Sequence, residues 1–158
     1  MIGTKILVLA AGLCTVASTG AAQEATREEM NHDFIFNLSG ISKQDIYERT
    51  MRWIINNVRS PRAVIQTEDP ETGTIIANGV TTMNADGDSV VTGISFRLSV
   101  DVREGKERVR FLNLQISRNA EEGWTDIPGE GIWHRGAQKR FLLMARTMND
   151  YVKIKTEP

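Results

Sequence analysis

The chain reads as an α+β domain: one twisted antiparallel sheet with two helices on one of its faces. Three observations carry that reading. The segment Ser89 to Arg103 alternates apolar and polar residues, as a strand with one buried and one wet face does. Two other segments, Ser42 to Val58 and Ala137 to Val152, repeat apolar residues at helical spacing. The order along the chain is strand, helix, four strands, helix, and laying both helices on one face of a single sheet buries every apolar stripe.

The first 22 residues stand apart from this pattern. Lys5 supplies a positive start, Ile6 to Val16 is apolar apart from Thr15, and Gly20-Ala21-Ala22 places small residues at a cleavage position. The apolar run is too short for a membrane span. It reads as a signal peptide over residues 1–22, giving an exported protein, periplasmic or secreted, that starts near Gln23. Cys14 is the only cysteine and falls inside the signal, so the exported chain has no disulfide and no thiol nucleophile. A lipoprotein signal wants a small residue before that cysteine, and Leu13 stands there.

Residues 23–32 are polar and read as a flexible lead-in, with the domain spanning residues 33–153 and a charged tail at 154–158. Asp33 to Leu38 alternates and is rich in Phe and Ile, a strand. Ser42 is a helix N-cap with Asp45 in the acidic first turn. Behind it Tyr47, Met51, Ile54 and Val58 form a stripe that Ile46, Trp53 and Ile55 widen, and Pro61 ends the helix.

Four strands follow. Arg62 to Asp69 is the first, and Pro70 to Gly73 turns the chain, with Gly73 suited to a positive φ. Thr74 to Met83 is the second, closed by the hairpin loop Asn84 to Asp88. In the third, Val90, Thr92, Ile94, Phe96, Leu98, Val100 and Val102 share the buried face. In the fourth, Glu107 to Ser117, the pattern changes phase: Val109 and Phe111 share one parity and Leu112, Leu114 and Ile116 the other. A one-residue shift swaps faces, so a bulge is expected near Phe111-Leu112. Arg118 to Gly136 is Gly-rich and irregular. The last helix, Ala137 to Val152, carries Phe141, Met144 or Ala145, Met148, Tyr151 and Val152 on its apolar stripe.

Several residues resemble a known family. Gly40-Ile41-Ser42-Lys43, Ile46-Tyr47, Arg49 and Trp53-Ile54, then Ser60, Val64-Ile65-Gln66, Asp69, Glu71, Gly73, Ile75-Ile76 and Gly79, and the paired strands from Ser95 to Phe111 are similar to the bacterial exported family called "domain of unknown function with TBP-like fold" (family four-four-six-eight). The resemblance covers roughly Phe34 to Ile116. It implies export and a TBP-like version of the same β-α-β-β-β-β-α order. It implies no catalytic residues. The fold name carries no expectation of DNA binding, because fold does not give function.

Charge points the same way. The whole chain carries a net −1; without Lys5 the exported part has 18 Lys and Arg against 20 Asp and Glu, interspersed, with none of the concentrated positive surface that nucleic acid requires. No Gly-x-Ser-x-Gly elbow is present, and the only histidines are His32, in the lead-in, and His134. No metal site or cofactor is expected from two isolated histidines; Asn84 to Asp88 is only faintly like a calcium loop and reads as a hairpin turn. Glu68, Asp69 and Glu71 cluster at a turn and read as solubilising surface.

One segment invites a functional reading. Trp124, Trp133, His134 and Arg135 lie on the Gly-rich connection, where large amphipathic rings suit a pocket mouth or a partner surface. Capping of the core by both rings is the competing reading. The expectation is an exported, non-enzymatic binding module for a small apolar or amphipathic ligand held between sheet and helices near that segment. The alternative is a protein–protein assembly module of the cell envelope, using the wet face of the sheet or a strand edge.

Overall fold

The computed structural model of the chain describes residues 31–58, 65–84, 91–117, 123–127 and 131–154. The expected signal, the Asn84–Asp88 loop past its first residue, and the end of the tail lie outside them. The elements are β1 (His32–Asn37), α1 (Lys43–Asn57), β2 (Ile65–Asp69), β3 (Thr74–Asn84), β4 (Val91–Arg103), β5 (Lys106–Ser117), β6 (Thr125–Asp126) and α2 (Ile132–Lys153). This is the expected order with one two-residue strand added before the last helix.

All pairings are antiparallel and the strands lie in the order β1-β5-β4-β3-β2, with β6 continuing past β1 along β5. The expected face of β4 is buried from Thr92 to Val102 at every second residue. Opposite them Ile75, Ala77 and Gly79 of β3 and Val109 and Phe111 of β5 complete the inner layer. Both helices cover this face. α1 contributes Ile46, Tyr47, Trp53 and Ile54, and α2 contributes Phe141, Ala145, Met148 and Val152. Three rings lock the centre: Phe141 stands 4.5 Å from Phe111 and 5.3 Å from Phe96 between centroids, and Phe96 meets Phe111 edge-on at 5.5 Å.

The local signals that build these elements are visible in the bonding. Ser42 is extended at ψ 154 and accepts from the Asp45 amide at 3.1 Å, while its hydroxyl donates to Asp45 Oδ2, so the cap is reciprocal. Gly73 turns the chain at φ 80, and a Cβ there would stand 2.3 Å from the Val102 carbonyl oxygen and 2.8 Å from Lys43 Cε. Only glycine fits, on conformation and on space alike. Lys43 passes over it to donate to the Glu71 carbonyl, which ties α1 to the β2–β3 turn.

The expected irregularity of β5 is present, one residue past Leu112, and four other details differ from the sequence expectation. The bulge falls at Asn113: Ser95 pairs with Gln115 but Arg97 with Leu112, and Asn113 takes the left-handed φ of 53 that absorbs the extra residue. Leu112 therefore lies before the phase change, on the outer face, and only Leu114 and Ile116 join the core. Ile55 is exposed, and Thr50 takes its expected place inside because it has a buried polar partner in Glu107. β1 begins at His32, which is buried rather than part of a lead-in. α2 starts five residues early, at Ile132, because Trp133 stands four residues before Ala137 and eight before Phe141 and so continues the apolar stripe through Gly136.

Candidate functional site

The four residues singled out in the sequence do not assemble into one site. Trp133, His134 and Arg135 form the first turn of α2, not a loop. Trp133 packs against the core, and His134 lies 5.7 Å from His32, which in turn meets Phe141 at 5.6 Å. Arg135 is exposed. Trp124 lies across the sheet from them: its ring covers Gly93, which alternates with the buried Thr92 and Ile94 and so faces outward.

Buried ionisable groups were not anticipated. Glu107 is fully buried on the inner face of β5; the Thr50 hydroxyl donates to its Oε1 at 2.5 Å and its Oε2 has no protein partner. Burial pushes its carboxyl up to about 7, against the opposing pull of the Thr50 bond. His32 is the converse: burial first, then the nearby His134, push it down to about 4. Glu107 lines none of the clefts described next. At neutral pH His32 is therefore uncharged, while Glu107 sits near its midpoint and is fully neutral only at more acidic pH.

Among the described residues, three clefts flank this core. On the outer face about 180 Å³ opens beside Ile35, Asp101, Arg103, Lys106 and Arg108. Two of its four charges are matched: Arg108 forks onto Asp33, and Asp101 accepts from Arg110 at 2.7 Å, which also reaches Ser99 at 3.1 Å. The Arg108 pair holds Asp33 below the usual carboxylate range. At the turn, Asp69 is lowered by bonds from the Thr72 and Glu71 amides, with Glu68 and Glu71 exposed beside it, so the carboxylate cluster is solvated surface. A groove of about 510 Å³ runs between the start of β1 and α2, lined by His32, Asp33, Phe34, Gln138, Lys139 and Leu142 among others.

The third cleft, about 190 Å³, lies under the helices. Its floor is Phe96 of β4, its walls Trp53 of α1, Val58 just past that helix, and Leu143 and Met144 of α2, and its rim Arg140. It opens because the two helices cover the β3 end of the sheet incompletely. Phe96 has its ring tip directly over Gly79 of β3, where a Cβ would stand 2.4 Å from Cζ. Arg140 donates from Nε and Nη2 to Thr81 Oγ1 at 3.0 and 2.8 Å. Apolar surface from Trp53, Val80, Phe96, Leu143 and Met144 meets the polar groups of Asn57, Thr81 and Thr147 and the cationic Arg140, an arrangement that takes up apolar groups and orients a polar end. Among the described residues no group of three or more His, Cys, Asp or Glu is placed to hold a metal ion, and no helix is long and apolar enough to cross a membrane.

Comparison with known proteins bears on the fold. The family model described as "Domain of unknown function (DUF4468) with TBP-like fold" matches residues 33–117. A crystal structure of a DUF4468 family protein from Bacteroides ovatus is similar at a TM-score of 0.62 and 15% identity, over 81% of this chain and 89% of that one. A TBP-like protein from Parabacteroides distasonis is similar at 0.64 and 8% identity, over 78% of this chain and 92% of that one. No curated protein matches the chain.

Proposed function

The chain belongs to the DUF4468 family of domains of unknown function with a TBP-like fold, and from that premise we propose that it is an exported, non-enzymatic binding module that holds a small apolar or amphipathic ligand between its sheet and helices. The observation that carries the reading is the cleft under α1 and α2, with an aromatic floor at Phe96 and a wall at Trp53. An otherwise close-packed layer leaves this space open. An engineered apolar cavity of about 150 Å³ accepts a benzene-sized ligand, and about 190 Å³ here is of that order. The signal-like residues 1–22 support the export half.

Native mass spectrometry of the protein purified from its own envelope fraction tests it. Extra mass that leaves on activation, and that is absent from Met144→Trp protein with its cleft filled, is the expected result. A bare mass for the native protein is the opposing one.

A second reading rests on a different observation. β1 is an edge strand, as β2 is at the other side of the sheet; among the described residues it pairs with β5 alone, and the 510 Å³ groove lies between it and α2. An extended segment of an envelope protein added along that edge gives an assembly module. Crosslinking from Asn37, exposed on β1, to a partner in intact cells is its test.

A further inference from the structure

We infer that the ligand of the Trp53–Phe96 cleft is a small monoanion with an apolar tail, such as a medium-chain or aromatic carboxylate, and that Arg140 reads its charged end. The inference rests on the reading of the cleft as a ligand site and adds the chemistry of what enters it. Arg140 is the one charged residue among those lining the cleft. Both of its hydrogen bonds go to a single neutral oxygen, Thr81 Oγ1. A guanidinium presents five N–H donors in a rigid fork, so Nη1 and part of Nη2 are left to other acceptors. No Asp or Glu among the described residues lies within ion-pair distance of it.

Arg140, half-buried beside Phe96, Leu143 and Met144, has no counter-ion among the described residues. Two guanidiniums of the sheet show the contrast: Arg108 has Asp33 and Arg110 has Asp101. A carboxylate entering at the rim would take the free edge of the fork bidentately. Its tail would then lie along Trp53 and over Phe96. Thr81, which also lines the cleft, is a positioning residue: by accepting from Nε and Nη2 it fixes the plane of the fork. The cleft volume bounds the tail to about the size of a benzene ring or a six- to eight-carbon chain.

The test is calorimetric titration of the purified protein with sodium octanoate and, separately, with 1-octanol, which has the same chain and no charge. Octanoate is expected to bind at least tenfold more tightly than octanol. Arg140→Gln is expected to remove that preference, bringing the two affinities together. Leu143→Glu, at a side chain already half exposed at the mouth, leaves the core untouched and is expected to weaken octanoate at least tenfold by repulsion. Equal affinity for the two probes, or octanoate binding indifferent to both variants, overturns the charge reading and leaves the cleft reading standing. Failure of both probes to bind at millimolar concentration overturns both.

Discussion

The tip of the Phe96 ring covers the Cα of Gly79 on the neighbouring strand, so closely that a single added carbon would stand 2.4 Å from Cζ. This one contact joins the fold to the cleft. The ring reaches Gly79 because no side chain stands there, and its position sets the edge-on contacts with Phe111 and Phe141 and the floor of the cleft at once. Gly79→Ala is expected to lower stability by about 1–3 kcal/mol, the usual range for overpacking, read as a lower urea midpoint with an unchanged m-value. It should also tilt the ring into the cleft and displace any bound ligand.

Glu107 gives the fold an inverted pH response. Its folded carboxyl titrates at about 7 against 4.5 unfolded, so between those values the folded state binds more protons. Its contribution is full below pH 4.5 and is lost as pH rises through 7. The loss is roughly 3 kcal/mol by pH 8 if each unit is worth about 1.4 kcal/mol. Glu107→Gln keeps the acceptor for Thr50 and has no charge to bury. In a His32→Phe background, which removes the opposing histidine slope, urea midpoints at pH 5 and pH 8 are expected to differ, and to draw together when Glu107→Gln is added.

His32 has the opposite sign. Its folded pKa of about 4 lies below the free value of 6.5, so the unfolded chain binds more protons between them. That contribution is full above pH 6.5 and disappears as pH falls to 4. From about pH 4.5 to 6.5 the two slopes oppose, and the native protein should show a flat profile there. His32→Phe, which keeps a ring against Phe141 and His134, should expose the falling slope of Glu107 alone. A midpoint that still drops toward acid in this variant assigns the acid sensitivity elsewhere.

Much of this was legible in the sequence, because periodicity reports which side of an element is buried. The face of β4, the stripe of α2 from Phe141 on, the Ser42 cap and the Gly73 turn all follow from side-chain pattern and backbone conformation. What was missed depends on pairs distant in sequence. Thr50 and Glu107 are 57 residues apart and each looks like surface alone; only together do they satisfy each other inside. Gly136 marked a loop by propensity, and packing of Trp133 overrode it. Arg140 is one arginine on an amphipathic helix until β3 supplies Thr81. The cleft itself belongs to the angle between layers, which no local pattern encodes.

The outer-face ion pair is expected to matter little. Arg108 and Asp33 have side chains 47% and 39% exposed, a setting in which a pair is worth up to about 1 kcal/mol. Asp33→Asn should shift the urea midpoint by no more than that, with the difference shrinking in molar salt. A larger loss would mean that β1 docking depends on the pair rather than on Phe34 and Phe36 packing against the core.

The most direct test of the account follows the three tryptophan indole N–H signals by NMR while an organic extract of the native envelope is titrated in. Trp53 lines the cleft, Trp133 packs elsewhere on the core, and Trp124 lies on the outer face. The account predicts that the Trp53 signal moves and saturates while the Trp124 signal stays in place. Movement of Trp124 with Trp53 unchanged would put the ligand on the other side of the sheet and contradict it.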